Sequence, residues 1–376
     1  MKQRFTALSL KAALLVTASM AGTAFAQDAT DTLPAHPRFE VLAPRPATKD
    51  QTPATPLTTW NGTFTYQSKT YKYNMVGTTP STGTTTKVPV FIIPIALQYK
   101  SGTTTTTFTP ATKQTNGASA VANTINSPIF KDMDWIAGDG VTDLGTTQFE
   151  DAFQRGNFWG QVSAAPGYHV LLGAPKVLPV QTYVVPAADG SVGNEFGVKV
   201  GMADINWFDS TIIQPLLTKY KAQITPTTLP IFMTYDVYLT EGGCCIGGYH
   251  SATGIQAYSM FTYVKLVSPG AFSQDVSALS HEVGEWLDDP LVVNAGGNLI
   301  DSKCAQINGS DILEVGDPEE VDANYGDFPY TFNGFTYHLQ DLVYLEYFGA
   351  ANTTSVSGEM TFHNNPFGLT VCSNGG

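Results

Sequence analysis

Residues 280–290 read SHEVGEWLDDP and place His281 and Glu285 four apart, with Glu282 next to the histidine. On a helix an i, i+4 pair projects toward one point, so an imidazole nitrogen and a carboxylate oxygen there can bind one divalent cation. Such an ion lowers the pKa of water from about 15.7 toward 7, and Glu282 is placed to accept the proton released. A third carboxylate source follows at LEVGDP, where Glu314 and Asp317 flank a glycine turn 29 residues after Glu285. The expected site is therefore metal: His281, Glu285, Glu314 and Asp317; catalytic: Glu282. Because Glu285 stands where HExxH has its second histidine, the set is harder than a two-histidine site, and manganese, iron or calcium join zinc as occupants.

Two further histidines are candidate catalytic groups. His250 ends a Gly- and Cys-rich segment and would stabilise an oxyanion or orient a ligand. His338, beside Tyr337, offers donors to a tetrahedral intermediate. The ordinary alternative for each is a structural imidazole bonded to a backbone carbonyl. Asp288, Asp289, Asp301, Glu319 and Glu320 form a second acidic set suited to calcium, which takes six to eight oxygens, although no EF-hand spacing is present. Between positions 282 and 327 there are twelve acids against the single Lys303. Nothing in the chain matches a GxSxG elbow, a phosphate loop or a dinucleotide fingerprint.

Around these residues the apolar positions Val276, Leu279, Val283, Trp286 and Leu287 gather on one arc of a helix, with His281, Glu282, Glu285 and Asp288 on the opposite arc. The polar arc is expected to be solvated or to line a cleft. Strands are expected over 58–75, 87–99, 229–239 and 257–267, with the threonine run 101–109 as an antiparallel partner of the second. Helices are expected within 123–135, 146–159 and 202–220, and a tight loop over 242–250. With no repeat of 20–50 residues, 58–376 reads as a single two-lobed α+β domain: a β-rich, loop-rich lobe over 58–268, then the helix and an acidic lobe over 269–376.

Residues 1–26 combine Lys2, Arg4 and Lys11 with a short apolar run and end in small residues, the pattern of a secretory signal peptide, and 27–57 reads as a Pro/Thr-rich flexible leader. The expected location is secreted or periplasmic, without membrane insertion. That first segment holds three basic residues and no acid, so the net charge of −13 becomes −16 without it. An acidic chain of this kind excludes nucleic acid as a partner, and the expected chain is a monomer whose partner is a peptide or protein substrate, or a cell-surface glycan. Four cysteines in an exported chain suggest disulfides, and all three pairings of Cys244, Cys245, Cys304 and Cys372 are open.

SHEVGE, the Asp289-Pro290 pair and Glu314-Val315-Gly316-Asp317 together resemble the SHExxE…D/N-P…ExxD pattern of exported bacterial metallopeptidase-like proteins. The plant cell-wall family called EXORDIUM, or phosphate-induced proteins, is similar, and CCIGGYH at 244–250 resembles that group's cysteine- and glycine-containing turn. The resemblance spans roughly 229–317. It implies a zincin-like fold, in which a mixed sheet supports an active-site helix, and it points at His281, Glu282, Glu285, Glu314 and Asp317. Two functions follow from the residues: an exported metal-dependent hydrolase, foremost a zinc peptidase, or a non-catalytic cell-surface or cell-wall protein in which zinc or calcium is structural.

Overall fold

The centre of the fold is an 11-stranded mixed sheet, and its composition explains why. Strands such as VFIIPIAL within Val90–Ser101 and LPIFMTY at Leu229–Tyr235 are apolar at nearly every position, the pattern of strands covered on both faces. The computed structural model describes residues 38–47, 55–66, 68–195, 197–265, 272–292, 313–321 and 324–365. The expected signal peptide, Asp301, Lys303, Cys304 and Cys372 lie outside them. The main path of the sheet runs Lys176–Val177, Val90–Ser101, Leu229–Tyr235, Gln256–Tyr263, Cys244–Thr253, Val237–Thr240, Val198–Asp204, Gly190–Glu195. The first three pairs along it are parallel and the rest are antiparallel except that of Val198–Asp204 with Val237–Thr240, which makes the class α+β with a mixed sheet.

Side-chain alternation along the strands divides the core in two. Ile92, Ile231, Met233 and Phe261 face one cluster, while Ile93, Phe232, Tyr249 and Met260 face the other. Helical turns over 205–219 cover the second face. The first face receives the helix Ser277–Asp288, which packs on Gln256–Tyr263, Cys244–Thr253, Lys69–Val76 and Phe335–Gln340. One cluster draws on Trp60, Phe149, Leu279, Trp286 and Tyr344, from both sides of position 268.

Most expected elements form. The threonine run pairs antiparallel with Val90–Ser101 as Thr104–Phe108, and 229–239 divides into Leu229–Tyr235 and Val237–Thr240. Two expectations are corrected. The loop expected over 242–250 is mostly the strand Cys244–Thr253, paired antiparallel with Gln256–Tyr263; pairing and burial on both sides override the poor strand propensity of Gly247 and Gly248. Within the expected leader, Arg38–Val41 is a strand parallel to Cys244–Thr253, with Val41 opposite His250 and Phe39 buried at its centre. Cys244 and Cys245 are paired with each other, one of the pairings left open above. No helix among the described residues is long and apolar enough to cross a membrane.

Candidate metal centre

Helix Ser277–Asp288 carries the expected apolar arc into the core, but its polar arc is enclosed as well: His281, Glu282, Glu285 and Asp288 are all within 1 % of complete burial. The expectation of a solvated face or open cleft is thereby corrected, because the strand Cys244–Thr253, the segment 313–321 and Phe39 close over that side. A recess lined by Asn324, Asp327, Asp341 and His363 includes none of these residues.

Strand alternation delivers the second imidazole. Tyr249 points into the far cluster and hydrogen-bonds Asp209 at 3.1 Å, so Gly248 and His250 face the helix. His250 Nδ1 lies 3.3 Å from Glu282 Oε2 and 3.4 Å from Glu285 Oε2, and its Nε2 lies 4.0 Å from Glu314 Oε2. A Cβ at position 248 would come within 2.7 Å of Glu282 Oε1, so glycine is what admits that carboxylate. His281 Nε2 lies 3.0 Å from Glu285 Oε1 and 3.6 Å from Asp317 Oδ1. Gly316, between Glu314 and Asp317, sits against the His281 ring, where any Cβ would collide with it, and its N–H donates to Glu285 Oε1 at 3.2 Å.

Gln340 fixes the state of His281. Its Nε2 faces two carbonyls, Tyr325 O at 2.9 Å and Gly316 O at 3.4 Å, so that atom must be the amide nitrogen. Its Oε1 therefore faces His281 Nδ1, which donates the proton. Nε2 is left with a bare lone pair aimed at the carboxylates of Glu285 and Asp317. Burial holds the His281 pKa down to about 4, so the ring is neutral at pH 7, and burial lowers His250 in the same direction. Desolvation, opposed by hydrogen bonds from Glu314 and the loop backbone, holds Glu285 up at about 7. Glu282, Glu314 and Glu320 are pushed well above the carboxylate range, first by desolvation and then by the charge of Glu285 on Glu282 and Glu314 and of Asp317 on Glu320.

These donors fit a divalent cation. Ligand atoms about 2.0–2.1 Å from a tetrahedral zinc lie about 3.3 Å from each other, and the contacts of 3.0, 3.3, 3.4 and 3.6 Å straddle that edge. His250 Nε2, His281 Nε2, Glu282 Oε1 and Glu314 Oε1 are buried without a hydrogen-bond partner, which costs free energy unless a cation or proton stands among them. The donor atoms of His281, Glu282 and Glu285, and those of His250, Glu285 and Glu314, each lie within 4.8 Å of one another.

All four expected metal residues thus sit in the cluster, as do Glu282 and His250, the latter placed as a ligand as much as a catalytic group. His338 is engaged elsewhere: its Nδ1 meets Asp275 Oδ2 at 2.6 Å and its N–H donates to Asp275 Oδ1 at 3.0 Å. The second acidic set does not assemble among the described residues, because Asp288 receives a hydrogen bond from Gln154, Glu319 receives one from Asn365, and Glu320 joins the His281 group. Sequence reading missed Gln340 and Phe39. Phe39 packs on the His281 ring at a 38° tilt with centroids 4.1 Å apart and donates its N–H to Glu320 Oε1 at 2.5 Å. Strand parity across 248–250 was the signal that could have placed His250. Comparison with family models, curated proteins and solved structures finds no match.

Proposed function

We propose that this chain is an exported metal-dependent hydrolase acting on peptide bonds, on a zincin-like arrangement of sheet and helix, with zinc as the foremost occupant. The observation that carries the reading is the bare Nε2 of His281 facing Glu285 and Asp317, since three lone-pair-bearing groups at 3.0 and 3.6 Å repel unless a cation or a proton lies among them. His281, His250, Glu285 and Glu314 would hold the ion, with Asp317 beside them. When bound, it supplies Lewis acidity, acidifying water and polarising a carbonyl. Glu282 would accept the proton once a bound cation offsets the burial and neighbouring charge that raise its pKa: its Oε2 touches His250 and its Oε1 has no hydrogen-bond partner. Gln340 keeps His281 in the ligating tautomer, and burial excludes competing water. Export rests on the 1–26 pattern. Glu282→Gln tests the reading: metal content should be unchanged while cleavage of a peptide library falls about 10²–10⁴-fold; full activity in the variant refutes it.

One observation favours a second reading. Structural ions sit in closed sites and catalytic ions keep an open position, and Phe39 closes this one. A protein that holds a structural ion and binds a surface glycan or protein would lose thermal stability on metal removal and cleave nothing. In the hydrolase reading the strand Arg38–Val41 must leave before substrate enters.

A further inference from the structure

Resting on the metal-centre reading above, we infer that the centre is binuclear, with Glu285 as a bridging carboxylate between two divalent cations. Two trios of donors with no member in common surround Glu282: His250, Glu285 and Glu314 form one, and His281, Asp317 and Glu320 the other, with the donor atoms of each mutually within 4.8 Å. Glu285 belongs to the first trio and also touches the second. Its two oxygens are divided between the imidazoles, Oε2 at 3.4 Å from His250 Nδ1 and Oε1 at 3.0 Å from His281 Nε2. A carboxylate whose oxygens face two different nitrogen ligands is the geometry of a bridge, and paired catalytic ions stand about 3.5–4 Å apart, within such a bridge's span.

Each half is built, not merely acidic. His250 and His281 are completely buried, and the His281 Nε2 that faces Glu285 Oε1 has no hydrogen-bond partner. Glu314 Oε1 is likewise unpartnered, on the His250 side. The count of donors points the same way: two imidazoles and four carboxylates, before Glu282 is considered, exceed the four positions of one tetrahedral ion. One divalent charge also leaves half of the charge of those four carboxylates uncompensated, whereas two balance it. A borderline or hard pair such as zinc or manganese suits this mixture of nitrogen and carboxylate oxygen. Two ions in one closed chamber would clamp a carbonyl or phosphoryl oxygen from both sides, so the substrate class includes amides and phosphate esters.

The test uses the full chain, stripped with chelator and titrated with Zn²⁺ for stoichiometry and with Mn²⁺ for electron paramagnetic resonance. Two equivalents of zinc and an exchange-coupled Mn²⁺ spectrum are expected, with the Asp317→Asn/Glu320→Gln variant reduced to one equivalent and an uncoupled spectrum. One equivalent in the native chain overturns the binuclear centre and leaves the single-ion reading standing. Two equivalents without coupling place the second ion elsewhere and overturn the bridge. No uptake of either metal overturns both. Because stoichiometry and coupling are read on the native chain, the outcome does not depend on the variant folding.

Discussion

Gln340 and His281 are joined through Nδ1 of the imidazole, and the two carbonyls that hold the amide nitrogen of Gln340 decide which ring nitrogen carries the proton. The bare Nε2 that results is the form a metal ligand requires. Losing an outer partner of this kind weakens metal affinity about 10–100-fold. Gln340→Ala should therefore bind Zn²⁺ about that much more weakly by competition with a chromophoric chelator. Gln340→Glu, which keeps an acceptor at the same place, should lose less. Equal affinities in all three proteins would remove Gln340 from the centre.

Gly316 lets the loop lie flat on the His281 ring. Adding one methyl group there forces the ring or the loop aside. Gly316→Ala should bind zinc at least tenfold more weakly while retaining the far-ultraviolet circular dichroism of the native chain. Native affinity would mean that the loop approaches His281 less closely than described.

Phe39 covers the imidazole from a strand that contributes few residues to the sheet. Phe39→Ala removes a fully buried ring and should cost about 3–5 kcal/mol of stability. In the hydrolase reading it should also raise the rate of peptide cleavage and admit small chelators faster, both measurable on the full chain. Faster chelation without any cleavage favours the structural ion.

Asp236, away from the metal cluster, gives a pH prediction. It lies at φ 49° and accepts the Lys265 N–H at 2.9 Å, yet burial pushes its pKa from 3.8 up to about 6. The folded state thus holds the proton more tightly than the unfolded chain. The carboxylate weakens the fold by roughly 3 kcal/mol above pH 6, and that penalty fades as pH falls toward 4. Asn keeps the acceptor and tolerates the positive φ. Asp236→Asn should raise the melting temperature at pH 7.5 and leave it unchanged at pH 4, by calorimetry; an equal shift at both pH values would assign the effect to something other than charge.

The sequence disclosed the ligand helix because His281, Glu282 and Glu285 share one face by local periodicity, and local geometry needs no tertiary information. Glu314 and Asp317 were legible as a second acidic turn. His250 was legible as a residue but not in its role, since the glycines around it read as a loop until pairing made them a strand. Phe39 and Gln340 lie 242 and 59 positions from His281, and no spacing rule connects residues that only the folded sheet brings together. The enclosure of the polar arc was illegible for the same reason: a helical wheel shows two faces but not what covers the second.

The central claim is that His250 and His281 share a metal centre. Elemental analysis of the purified full chain, with the His250→Ala/His281→Ala variant purified in parallel, tests it most directly. The account predicts at least one equivalent of zinc or a comparable transition metal in the native chain and none in the variant. Metal absent from both, or present equally in both, would contradict it.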